Sequence, residues 1–294
     1  MATLYTQQSK NVRKTWLLMT VFLVTIVIIG FLFAQYYGDP NILYFFFAFA
    51  LFMNIFSYWN SAKIAIKMSG AIIADPFQYK ELHNIVENLS ITAGLPKPKV
   101  YIINDNAPNA FATGRNKEHA AIAVTTGLIN ILERNELEGV IAHELSHIGN
   151  KDILISTVAV VLAGFITIVA DMFIRSHIFG GSRDSDSKAG GVMMVVGIVL
   201  AILAPIFATI IQLSISRKRE FLADASGALL TRYPEGLANA LKKIASHSAP
   251  MMKKSKATAH LFISNPFGAS NVKKLFSTHP PTEERVKALI GMQV

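Results

Sequence analysis

His143 and His147 stand four residues apart in the run Val140-Ile141-Ala142-His143-Glu144-Leu145-Ser146-His147-Ile148. On a helix that spacing places both imidazoles on one face, one turn above the other. Two imidazoles so placed can bind a single zinc ion. Glu144, on the adjacent side of the same turn, can then take a proton from a water held at the metal. The competing reading is a polar patch on a core helix with two solvated histidines.

A catalytic zinc site needs three protein ligands and keeps one open position. The chain has no cysteine, so the third ligand must be a histidine or a carboxylate. Hydrophobic runs at 153–174 and 192–215 read as a hairpin of two spans, with Pro205 tolerated in the second. His147 lies six residues before this hairpin starts, and Glu220 five residues after it ends, so the two return to a similar depth. Asp224, one helical turn beyond Glu220, suits the free ring N–H of a ligand histidine. The bland alternative is a solvated face on which Glu220 and Asp224 neutralise Arg217 and Arg219.

Other elements must carry this machinery. The chain of 294 residues is 52% hydrophobic with a formal charge of +9. The hydrophobic share points to a membrane protein. The basic residues flank apolar segments and form no nucleic-acid motif, so membrane topology accounts for the charge and nucleic acid is excluded as a partner. Trp16–Ala34 is 19 residues without a charge and reads as an uncleaved first transmembrane helix. Gly38-Asp39-Pro40-Asn41 turns the chain, and Ile42 to about Trp59 reads as a second span. Lys10, Arg13, Lys14, Lys63 and Lys67 lie outside this hairpin, which puts both its ends in the cytoplasm.

Between the two hairpins the chain reads as soluble. Asp75-Pro76 predicts an N-cap and first helical residue, with an amphipathic helix to about Ala93. Segments 100–103, 109–114 and 120–126 predict three short strands of a small antiparallel or mixed sheet, and Asn135 a cap for the His143 helix. Beyond Ser216, helices are expected to Leu230, from Pro234, and from Pro281 to Ile290. The basic stretch 246–258 and the Gly-rich loop 175–190 are candidate covers over the site.

With these residues in place the sequence resembles the HtpX-type membrane zinc endopeptidases, relatives of the CAAX prenyl endopeptidases. The resemblance rests on two N-terminal spans, His143-Glu144-x-x-His147, a second hairpin, Arg219-Glu220-Phe221-Leu222-Ala223-Asp224 and Thr278-His279-Pro280-Pro281. It implies a mainly α membrane protein of about four transmembrane helices. Their cytoplasmic metalloprotease domain would be zincin-like and α+β, with a small sheet. The implied division is a membrane hairpin (1–60), a first protease part with the sheet (61–152), a second hairpin (153–215) and a second protease part (216–294).

By the same resemblance, His143, His147 and Glu220 hold one Zn2+ per chain, Glu144 is the general base, and Asp224 orients a ligand histidine. His279 approaches the scissile carbonyl and stabilises the oxyanion. Asn109, Ala110, Phe111, Ala112, Thr113 and Gly114 form an edge strand that pairs with an extended substrate, and Asn265-Pro266-Phe267 lies near the cleft. His83, His119, His177, His247 and His260 are read as bland. The implied biology is a multi-pass protein of the cell inner membrane, with N-terminus, C-terminus and active site in the cytoplasm. It would cut misfolded or damaged membrane proteins in quality control, alongside other membrane quality-control proteases. Alternatives are a prenyl-protein endopeptidase, an intramembrane protease, and a non-enzymatic zinc-binding chaperone or adaptor.

Overall fold

The computed structural model describes residues 4–162, 217–247, 249–253, 258–268 and 280–292. Helices α1 (Leu4–Tyr37) and α2 (Asn41–Ser69) form the N-terminal hairpin, and both are long and apolar enough to cross a membrane. Gly38 takes the left-handed conformation at the turn, with φ +69°. The Asp39 carboxylate accepts the Asn41 N–H at 2.9 Å and stabilises the entry to α2. Lipid offers no hydrophobic drive between helices, so the pair relies on close packing and hydrogen bonds. Gly30 meets α2 so closely that a Cβ there would lie 2.4 Å from Phe46 Cβ. Asn54 Nδ2 donates to the Met19 carbonyl at 3.1 Å across the hairpin.

The chain then lays down β1 (Ile72–Ile73), α3 (Lys80–Thr92), β2 (Lys99–Ile103), β3 (Ala110–Gly114) and β4 (Ala120–Thr125). A single 3-10 turn at Lys117–His119 joins β3 to β4. The sheet order is β1-β2-β4-β3, with β2 parallel to β4 and the two outer pairings antiparallel. The expected sheet is therefore mixed, and it gains a short fourth strand, β1, that the pattern did not mark.

Period-2 alternation gives the sheet two apolar faces. Ile102, Ala112, Ile122 and Val124 pack toward α5 (Arg134–Gly149), α7 (Arg217–Thr231), α8 (Pro234–Ser246) and α9 (Thr282–Ile290). Ile103, Phe111 and Ala123 pack the other way, against Ala65 of α2, Val160 of α6 (Asp152–Leu162) and Phe262. A short helix α4 (Thr126–Ile131) leads from β4 to α5. Helices α5 and α6 meet at 82°. Leu154, Val158 and Leu162 of α6 pack onto Leu18, Phe22 and Ile26 of α1, joining the N-terminal hairpin to the body that carries the sheet.

Two predicted helix starts shift. Helix α3 begins at Lys80, not Pro76. Asp75 instead caps the turn before it, its carboxylate accepting the Phe77 and Gln78 N–H groups. Helix α5 is capped at Glu133 rather than Asn135, and the Glu136 carboxylate reaches back to the Glu133 N–H at 2.8 Å. Two helices among the described residues qualify as membrane spans, and a third only if the bent pair α5–α6 counts as one. Most of the expected third span, the whole fourth span and loop 175–190 lie outside the described residues.

Candidate metal centre

Helix α5 is buried on nearly every side because it runs through the middle of the domain. Leu137, Val140, Ile141, Ala142, Leu145 and Ile148 are all buried. His143 and Glu144 are buried with them, while His147 near the C-terminal end keeps partial exposure. Helix α7 crosses α5 at Gly227, where a Cβ would sit 3.0 Å from the His143 backbone nitrogen. That approach brings Glu220 and Asp224, four apart on one face of α7, onto the two histidines.

His143 Nε2 and His147 Nε2 are 3.2 Å apart. Glu220 Oε2 lies 3.9 Å from His143 Nε2, and Glu220 Oε1 lies 3.6 Å from His147 Nε2. Ligands of a tetrahedral zinc ion, bonded at about 2.0–2.2 Å, sit about 3.4 Å from one another. The three donors therefore already surround one point, and two nitrogens with one carboxylate oxygen suit zinc.

Each histidine is oriented from behind. His143 Nδ1 donates to Asp224 Oδ1 at 2.9 Å, and His147 Nδ1 to Asp152 Oδ2 at 3.0 Å. These contacts fix the tautomer that leaves each Nε2 lone pair for the metal. Asp224 is gripped by the buried Arg285, through Nε to Oδ2 at 2.8 Å and Nη2 to Oδ1 at 2.6 Å. Arg285 Nη1 also stands 3.8 Å from Glu220 Oε2. Asp152 receives Arg219 Nη1 at 3.2 Å and Asn11 Nδ2 at 2.7 Å, both on Oδ1.

Of the residues behind the ligands, the linear pattern marks Asp224 and assigns no supporting role to Asp152, Arg219, Arg285 or Asn11. Asp152 lies past the end of α5, and only the turn at Lys151 (φ +57°) folds it back onto His147. The signal available was the Asn150-Lys151-Asp152 break itself. Arg285 sits in a polar Thr-Glu-Glu-Arg run that reads as a solvated helix face.

The charges follow this geometry. Burial pushes the Glu144 carboxyl up, with the Glu220 charge in the same direction, against the pull of both histidines and a hydrogen bond to the Ala112 backbone. Burial opposes a charge on His147, yet the Asp152 hydrogen bond and the Glu220, Asp152 and Glu144 charges outweigh it, raising the imidazole to about 9. Burial also opposes the Asp224 charge, and Arg285 and His143 hold that carboxyl below its ordinary value regardless.

A cavity of about 30 Å3 opens on these groups, lined among others by Glu144, Ala112, Ser156, His260 and Ile263. That is room for a water or an ion and not for a peptide. Strand β3 is the outer edge of the sheet. The Asn109 carbonyl accepts the Thr125 N–H, so 110, 112 and 114 turn their backbone groups away from β4. The Ile263 N–H already occupies the Ala110 carbonyl at 2.9 Å. The Asn109 side chain clasps Ser264, donating to its carbonyl at 2.9 Å and accepting its N–H at 3.1 Å. Phe111 turns to the opposite face and meets Phe262 edge-on.

The segment closing the cavity is thus 260–263, just past the expected 246–258 stretch. His260, read from spacing as bland, is part of the wall, with Nε2 3.3 Å from the Ser156 carbonyl. Asn265-Pro266-Phe267 forms a turn whose Pro266 carbonyl accepts the Met251 N–H. His279 and His177 lie outside the described residues.

Comparison with known proteins agrees with this geometry. The profile of Peptidase family M48 matches residues 76–293. The chain is 48% identical over 298 aligned positions to "Protease HtpX homolog" of Caldanaerobacter subterraneus subsp. tengcongensis, covering 99% of each chain. It is 49% identical over 279 positions to the protein of that name from Pyrococcus furiosus, covering 94% of each. Among solved structures it is similar to S. mikatae Ste24p, with TM-score 0.53 and 20% identity over 94% of this chain and 66% of that one. This last likeness concerns the fold alone.

Proposed function

The chain belongs to peptidase family M48, and on that premise we propose that this membrane zinc metalloprotease is an endopeptidase that hydrolyses internal bonds of misfolded or damaged membrane proteins at the cytoplasmic face. The observation that carries the reading is one shared cavity. It holds the donors of His143, His147 and Glu220, the buried Glu144 carboxylate, and the outward backbone of Ala112 on an edge strand.

The chemistry a zinc ion supplies when bound there is polarisation of a carbonyl and acidification of a water. His143, His147 and Glu220 hold it, and Asp224 and Asp152 keep the imidazoles facing it. Glu144, its carboxyl raised by burial, accepts a proton from the attacking water and hands it to the departing amine. The β3 edge binds an extended polypeptide through its backbone, which suits substrates recognised by unfolding rather than by sequence.

In the proposed topology the basic residues around the first hairpin keep both its ends cytoplasmic. The proposed organisation is an anchoring hairpin over 1–60, protease parts over 61–152 and 216–294, and a second hairpin over 153–215. Unfolded membrane proteins are the proposed partners, and nucleic acid is not among them.

The test is zinc content and casein cleavage of detergent-purified protein. Wild type is expected to hold about one zinc and to cleave. Glu144→Ala is expected to keep zinc and lose turnover by about 10²-fold or more. Glu220→Gln is expected to lose zinc. Undiminished cleavage by zinc-loaded Glu144→Ala overturns the assignment of the base, and full zinc in Glu220→Gln removes the third ligand.

A further inference from the structure

Helix α2 has 29 residues and is therefore about 43 Å long at 1.5 Å per residue. A bilayer core needs only about 20 of those residues. The stretch from Asn41 to Ala62 carries no charge, and Lys63 and Lys67 follow it at helical spacing. Tyr58 and Trp59 stand at this change, where aromatic residues mark the membrane–water interface. The last two turns of α2 thus leave the hydrocarbon at headgroup depth.

At that depth the protease body returns to the helix. The Arg115 guanidinium, just past β3, lies 4.4 Å from the centre of the Trp59 ring, and its Nη2 is 2.7 Å from His119 Nε2. Between α2 and the sheet is a cavity of about 470 Å3, within the range of ligand sites. Lys63, Lys67, Lys97, Lys99 and Arg115 line it, with Glu118 as the opposing charge. Lys97 is paired with Glu87 at 2.7 Å. Among the described residues, no carboxylate lies within ion-pair reach of Lys63, Lys67 or Lys99. Glu118 is exposed and stands 4.0 Å from Lys117.

We propose that this cavity binds the phosphate headgroup of an anionic phospholipid, with Lys63, Lys67, Lys99 and Arg115 around the phosphate and Trp59 against the glycerol end of the lipid. With Lys97 paired to Glu87, four cations without an ion-paired carboxylate among the described residues remain at headgroup depth, and their summed positive field attracts an anion. The aromatic wall and the position beside a membrane helix favour a lipid over a soluble phosphate. Such a lipid ties α2 to the sheet that carries β3, the proposed substrate edge.

The chain has two tryptophans, so a Trp16→Phe background isolates the fluorescence of Trp59. The full-length protein is reconstituted in phosphatidylcholine with increasing phosphatidylglycerol. One lipid at a time is brominated near the ester end of its acyl chains, and quenching of Trp59 is recorded. Phosphatidylglycerol is expected to bind about five- to tenfold better than phosphatidylcholine. The triple variant Lys63→Gln, Lys67→Gln, Lys99→Gln is expected to bring that ratio to within about twofold of one. A charge-matched control, Lys80→Gln, Lys242→Gln, Lys287→Gln, lies outside the cavity and is expected to keep the wild-type ratio.

Equal quenching by the two lipids in wild-type protein overturns the proposal, with no variant required. So does selectivity that survives the triple substitution, or that falls equally in the control. Millimolar inorganic phosphate is added in a last arm. Loss of selectivity there overturns the lipid as occupant and leaves a soluble phosphate site.

Discussion

Asn11, near the start of the first membrane helix, donates to Asp152 Oδ1 at 2.7 Å, although 141 residues separate them. The other oxygen of Asp152 holds His147. Two hydrogen bonds therefore join the membrane anchor to a zinc ligand. Asn11 is buried and also caps the end of the HExxH helix, donating to the Asn150 carbonyl at 2.9 Å. Asn11→Ala is expected to weaken zinc binding by about tenfold, the low end for a group that supports a ligand histidine indirectly. Asp152→Ala is expected to weaken it more. Chelator competition on the detergent-purified protein measures both, and unchanged affinity in Asn11→Ala removes Asn11 from the site.

Arg285 and Asp224 form a fully buried bidentate pair. Removing one partner leaves the other charge buried without compensation, at a cost of about 3–5 kcal/mol. Arg285→Met is therefore expected to lower unfolding stability by that order and to release zinc. Arg285→Met combined with Asp224→Leu is expected to recover part of the stability and none of the zinc, because His143 loses its orienting acceptor. Denaturant unfolding beside metal analysis separates the two effects. A double variant that regains zinc refutes the role given to Asp224.

The His147 imidazole of the metal-free protein is held at about 9, above its ordinary value. A raised pKa means that the folded state binds the proton more tightly than the unfolded state. Its contribution to stability is complete below about pH 6.5 and is lost as pH rises through about 9. Metal-free protein is expected to lose thermal stability over that window. Zinc must displace the same proton, so loading at pH 7.5 is expected to release about one proton from this group. Proton release measured in weak buffer tests the point, and loading without release contradicts the raised value.

Asn109 clasps the backbone of Ser264 and so fastens segment 260–263 over the cavity. A peptide does not fit into the space that remains. Asn109→Ala is expected to raise casein turnover about two- to tenfold, since a loop freed of two hydrogen bonds, each worth about 1 kcal/mol, opens more often. A fall in turnover instead would show that Asn109 serves the bound substrate rather than the cover.

Much of this protein was legible in the linear sequence because the signals were local. The His143–His147 spacing is a property of any helix, and charge-free runs of about twenty residues report spanning helices before any packing is known. Even Glu220 could be singled out, because the hairpin expected over 153–215 would return its two ends to one depth, and the structure groups Glu220 with the two histidines.

What escaped depended on contacts between distant elements. Asp152 serves His147 only because the chain turns 82° between α5 and α6. Arg285 and Asn11 look like surface residues in their own neighbourhoods, and they are buried because α9 and α1 dock where carboxylates need partners. His260 has no helical partner in sequence and still reaches the wall of the site. The N-caps shifted for a local reason: Asp75 caps a turn four residues before the α3 cap at Tyr79, and the Glu133–Glu136 pair closes α5 two residues before Asn135. The sequence alone determined which groups could do the chemistry. The tertiary structure decided which groups hold them in place, because a hydrogen bond a few ångströms long constrains atoms far more tightly than any spacing along the chain.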